Sequence, residues 1–66
     1  MLRIEFEQEE DGRWIAEIPV LPGVMTYGAT QQEARAKVEE LALRTLADRL
    51  EHGETVPEVN ELFAAA

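Results

Sequence analysis

Apolar and polar residues alternate at the start of the chain, with Leu2, Ile4 and Phe6 set against Arg3, Glu5 and Glu7. A period of two puts successive side chains on opposite faces of a strand, so this run predicts a strand buried on one face. Glu9-Glu10-Asp11-Gly12 is a turn signal, and Trp14, Ala16 and Ile18 then alternate with Ile15 and Glu17 in a second strand. The register follows from what each alternative would bury. A loop with an even number of residues places Leu2, Ile4 and Phe6 on the face of Glu17 and buries a carboxylate. A three-residue loop, Glu10-Asp11-Gly12, instead pairs Phe6 with Ala16 and Ile4 with Ile18. Such a loop ends in a left-handed residue, which Gly12 supplies without a Cβ clash, so a hairpin with a bulge at Gly12 is predicted.

Pro19-Val20-Leu21-Pro22-Gly23 is unsuited to a central strand, because its two prolines remove ladder donors. It is read as a connection. Val24 to Tyr27 follow as a short third strand, antiparallel to the second and ended by Gly28. Thr30-Gln31-Gln32-Glu33 has the form of a capping box. The helix it opens is expected to run to about His52, with Gly53 as its left-handed stop, a length of roughly 33 Å. Ala34, Val38, Leu41, Ala42 and Thr45 form one stripe, expected to lie on the sheet. Leu43, Leu46 and Leu50, with Ala36 and Ala47, spread round to the far side and call for other cover, either the C-terminal segment or a second chain. Glu33 with Lys37 and Glu40 with Arg44 are well-oriented i,i+4 pairs, worth about 0.3 kcal/mol each. In the tail, Val59, Glu61 and Phe63 alternate with Asn60, Leu62 and Ala64 as a fourth strand would, although Asn60 to Ala66 also suits a short helix. The open edge of a three-stranded sheet favours the strand. The expected fold is thus α+β, β-β-β-α with an optional C-terminal strand, in two layers, and residues 1–66 form a single domain.

Size and charge narrow the function. A domain of 66 residues buries only about 60% of its unfolded surface, so its core is marginal alone. With no cysteine, disulfides and thiolate metal sites are excluded, and self-association is the remaining support. Fourteen acidic against six basic residues give a net charge of -8. Such a chain repels phosphate backbones and anionic membranes and favours basic protein partners, so no direct nucleic-acid binding is expected. No apolar run approaches the roughly 20 residues of a membrane span, and no signal-peptide core stands at the N-terminus, so a cytoplasmic location is expected.

Three segments in order carry a family resemblance: Asp11-Gly12-Arg13-Trp14-Ile15-Ala16-Glu17-Ile18-Pro19, then Leu21-Pro22-Gly23-Val24-Met25-Thr26-Tyr27-Gly28-Ala29-Thr30 with Glu33-Ala34, and finally Gly53-Glu54-Thr55-Val56-Pro57. The chain resembles the HicB-like antitoxin family over nearly its whole length. The resemblance implies a partial ribonuclease-H-like fold, a tendency to form a homodimer or tetramer, and neutralisation of a small basic ribonuclease toxin of the HicA type. Many members of that family add a C-terminal DNA-binding domain; none is expected within this chain, and repressor activity is not expected either. Val24 stands where many members have cysteine. An orphan homo-oligomer of the same fold, without a toxin, is the alternative.

The candidate residues follow from these patterns. Glu5, Glu7, Ile15 and Glu17 share the outward face of the hairpin and are expected to meet a partner. A ribonuclease-H-like fold also raises two-metal nuclease chemistry at Glu5, Glu7 and Glu17, a remote alternative because no pocket is expected around them and Arg3 shares their face. The chain has neither serine nor cysteine, and its single histidine, His52, suits the last helical turn better than a catalytic base. No catalytic residue, metal ligand or cofactor is therefore expected. Leu43, Leu46 and Leu50 are expected to form a self-association surface. Leu21-Pro22-Gly23 is read as a tight reversal, and Trp14 and Tyr27 as core packing.

Overall fold

The chain opens with a hairpin in the expected register. In a computed structural model, which describes residues 1–65, strand β1 (Glu5–Gln8) pairs antiparallel with β2 (Trp14–Glu17), Phe6 opposite Ala16 and Gln8 opposite Trp14. The Glu9 N–H donates to the Arg13 carbonyl at 2.7 Å, leaving a three-residue loop, and the Gly12 N–H returns to the Glu9 carbonyl at 2.9 Å. Gly12 has φ of +92°, the left-handed geometry that closes such a loop. Asp11 accepts from both the backbone and the side chain of Arg13, at 3.0 and 2.8 Å. Those bonds, led by the one from the backbone, hold the Asp11 carboxyl below its ordinary range.

After β2 the chain reverses through two tight turns, Leu21 N–H to Ile18 carbonyl and Val24 N–H to Leu21 carbonyl. The reversal is as expected, but it also folds Leu21 completely into the core. Strand β3 (Met25–Gly28) then pairs antiparallel with β2, giving the order β1-β2-β3.

Helix α1 (Gln31–Glu51) begins at Thr30, whose hydroxyl accepts from the Glu33 N–H at 3.0 Å. Its C-terminus closes in a Schellman arrangement: the Gly53 N–H donates to Leu50 and the Glu54 N–H to Arg49, with Gly53 at φ of +77°. The helix start is pressed against β3. Thr26 Oγ1 donates to the Ala34 carbonyl at 2.9 Å, and Gly28 lies buried with α1 backbone where a Cβ would sit. The core comprises Ala16, Ile18, Leu21, Val24, Ala34, Val38, Ala42, Leu46 and Val56. The helix packs on β3 and β2 and barely reaches β1.

Two expectations are corrected. The expected fourth strand is absent among the described residues: Pro57–Glu61 form a 3-10 helix. Pro57 presets helical φ at the first position, and Val56, extended and buried, tethers the segment to the core. Leu46 is the second. It is 3% exposed and part of the core, whereas Leu43 is 60% and Leu50 49% exposed. Helix-to-sheet contact follows the row Ala34, Val38, Ala42, Leu46, an i,i+4 ridge inclined to the helix axis. A wheel projection places Leu46 on the far side, while the tilted ridge carries it back into the core.

Candidate protein-binding surface

Strand parity builds the outer face of the sheet. Glu5 stands opposite Glu17 and Glu7 opposite Ile15 across β1 and β2; Ile15 faces Tyr27 and Glu17 faces Met25 across β2 and β3. All four hairpin residues expected to meet a partner therefore lie together, in one row of Glu7, Ile15 and Tyr27 and a second of Glu5, Glu17 and Met25. The β3 members extend the face: Met25 is 43% and Tyr27 41% exposed, and Ile15 is half-buried between its neighbours. The Arg13 guanidinium lies 5.0 Å from the centre of the Tyr27 ring, within cation–π range, and is held there by Asp11.

The electrostatics of this face are one-sided. Glu5 and Glu17 are directly opposite each other, an arrangement of like charges that destabilises an antiparallel pair. Arg3 reaches Glu5 only at 4.0 Å, and among the described residues no cation lies within ion-pair distance of Glu7 or Glu17. The result is an apolar stripe, Ile15, Tyr27 and Met25, bordered by Glu5 and Glu7 of β1 and by Glu17 of β2. Chemically it suits a partner that brings Lys or Arg to the carboxylates and an apolar group to the stripe. Among the described residues no group of three His, Asp or Glu side chains is placed to hold a metal ion.

The leucine surface on α1 is divided. Leu43 and Leu50 are exposed, about two helical turns apart along the same side, while Leu46 is withdrawn into the core. His52 caps the helix, its Nδ1 donating to the Asp48 carbonyl at 2.7 Å. No described helix is long and apolar enough to cross a membrane.

The chain is similar to a UPF0150 protein of Thermoplasma acidophilum, with 37% identity over 54 residues that span 80% of this chain and 77% of that protein. It belongs to the UPF0150 family. No family model matches it, and no solved structure does. In this UPF0150 chain the sequence pattern located Glu5, Glu7, Glu17 and Ile15 on the outer face but not Met25 and Tyr27. Tyr27 was expected in the core. Its position opposite Ile15, in a strand whose register is set by the turns at Ile18 and Val24, turns it outward instead.

Proposed function

We propose that this UPF0150 chain is a HicB-like antitoxin domain, a protein inhibitor without chemistry of its own that covers a small basic ribonuclease toxin of the HicA type. The observation that carries the reading is the outer sheet face, where Glu5 opposes Glu17 beside the stripe of Ile15, Tyr27 and Met25. The family resemblance of the Asp11–Pro19 and Leu21–Thr30 segments supplies the class of partner. A cation from the partner seated between Glu5 and Glu17 relieves their repulsion and gains two charge-assisted bonds. The net charge of -8 steers a basic protein to this side and raises the association rate, while the apolar stripe slows dissociation. Inhibition then follows from occlusion: RNA, itself anionic, is excluded from any basic surface that the carboxylates occupy.

The test is capture of partners from the native lysate on the tagged chain, at low and high salt, with mass spectrometry as the readout. A small basic protein recovered near 1:1, and lost from a Glu5→Lys/Glu17→Lys double variant that still folds, is expected. Recovery of the bait alone would refute the inhibitor and leave a self-associating domain, for which the exposed Leu43 and Leu50 are the supporting observation.

A further inference from the structure

The two-layer arrangement is lopsided. Helix α1 packs beneath β3 and β2, so the inner face of the N-terminal run is only half covered: Leu2, Ile4 and Phe6 all remain partly exposed. Next to α1, under Leu2 and Ile4, is an apolar groove of about 470 Å³. Ala42 and the exposed Leu43 form its helix wall, and Leu62 closes the end at the 3-10 helix. Its rim is acidic, with Glu39, Glu58 and Glu61. Glu39 is held by Arg35 and Glu61 by the Met1 ammonium, both exposed pairs of the kind that exchange readily; Glu58 has no such partner among the described residues.

The dimensions of the seat indicate what fits. Strands lie about 4.8 Å apart, so β1 is offset from β3 by roughly 10 Å, and packed helices are separated by 8–10 Å. A helix centred under β3 and β2 thus leaves the side of α1 below Leu2 and Ile4, just ahead of β1, open to one more helix. We propose that this groove is a second docking site, separate from the outer sheet face, for a basic amphipathic helix of the same protein partner. Its apolar stripe would cover Leu2, Ile4, Ala42 and Leu43, and its Lys or Arg residues would meet Glu39, Glu58 and Glu61. The inference rests on the reading that this chain binds a basic protein.

At this groove the acidic rim favours a basic occupant over a second, equally acidic copy. Each copy carries -8. An acid-rimmed groove would receive another acidic chain.

The experiment uses the full chain and a fluorescein-labelled synthetic helix with leucines at i, i+3, i+4 and i+7 flanked by lysines. A control peptide carries glutamate in place of lysine. The lysine peptide is expected to bind, to shift amide resonances around Leu2, Ile4, Ala42, Leu43 and Leu62, and to lose roughly tenfold or more in affinity on Leu43→Lys. The control should not bind. Leu62→Lys, at a position outside the core, provides a second variant if Leu43→Lys alters the far-UV spectrum. Shifts confined to Glu5, Glu7, Ile15 and Glu17, insensitive to Leu43→Lys, would overturn the groove and leave the basic-partner reading intact. Absence of binding would also overturn the groove, with the basic partner judged separately by lysate capture. Sedimentation as a dimer that Leu43→Lys dissociates would overturn it in favour of a second copy.

Discussion

The contact between Gly28 and the first turn of α1 makes a sharp prediction for Gly28→Ala. A Cβ at this position would lie 2.4 Å from the Ala34 nitrogen, 2.9 Å from its Cα and 3.0 Å from the Glu33 carbonyl carbon. All three are backbone atoms, so no rotamer change relieves the clash. To reach ordinary contact at 3.4 Å the helix start must retreat by about 1 Å. Overpacking of this kind costs about 1–3 kcal/mol. The same retreat stretches the bond from Thr26 Oγ1 to the Ala34 carbonyl, now 2.9 Å, worth about 1 kcal/mol more. The expected loss is therefore ~2–4 kcal/mol, against a total of roughly 3–10 kcal/mol for a domain of this length. At about 4–8 °C per kcal/mol the melting temperature should fall by ~10–25 °C. Far-UV circular dichroism melts, with urea titration for the free energy, measure it. Gly12→Ala is the comparison: nothing stands within 4 Å of its Cβ, but its φ of +92° makes alanine strained, for about 1 kcal/mol. A Gly28→Ala protein that melts within about 3 °C of the parent would refute the close-approach argument.

Two further outcomes follow from burial and from charge. Leu46→Ala should lose about 2–5 kcal/mol in urea unfolding because it opens a cavity in the core, whereas Leu43→Ala should stay within about 0.5 kcal/mol; equal losses would place both on one surface. The Glu33 carboxyl is held below its ordinary value of 4.5, first by its bond from Lys37, then by that ammonium's charge and more weakly by the Ala29 backbone N–H. A depressed folded value means that Glu33 adds stability above pH 4.5 and that this is lost as pH falls through the folded value. Carboxyl NMR titration should find its midpoint below 4.5 and rising toward it in Lys37→Ala; an unmoved midpoint would show that the pair does not form in solution.

Much of the fold was legible because the local signals agree with one another. Parity in Leu2–Glu7 and Trp14–Ile18, with Gly12 to close the loop, left one register that buries no carboxylate, and Glu5, Glu7, Ile15 and Glu17 came to one face as a consequence. Thr30 and Gly53 marked the helix ends because both act on backbone groups a few residues away. What escaped depends on distance. Leu46 turns on the tilt of α1 across the sheet, which a projection down the axis erases. Tyr27 turns on the compact double reversal at Ile18–Val24, and Leu21 on the pocket that reversal fills. The alternation of the tail suits a strand, whereas Pro57 and the buried, extended Val56 give a 3-10 helix there.

The off-centre helix also sets the order in which the domain loosens. Strand β2 is held by ladders on both sides and by α1 beneath, and β3 by its ladder and the helix start; β1 has only its ladder with β2 and the half-covered Phe6, with Leu2 and Ile4 half-covered just ahead of it. The molecule is thus a kernel of β2, β3 and α1 with one hinged outer strand. Amides of β1 should exchange with solvent by local detachment, at a fraction of the free energy that opens the core around Ala16 and Val38. A ligand that clasps β1 would slow that exchange most, and would add its stabilisation to the part of the protein that has least of its own.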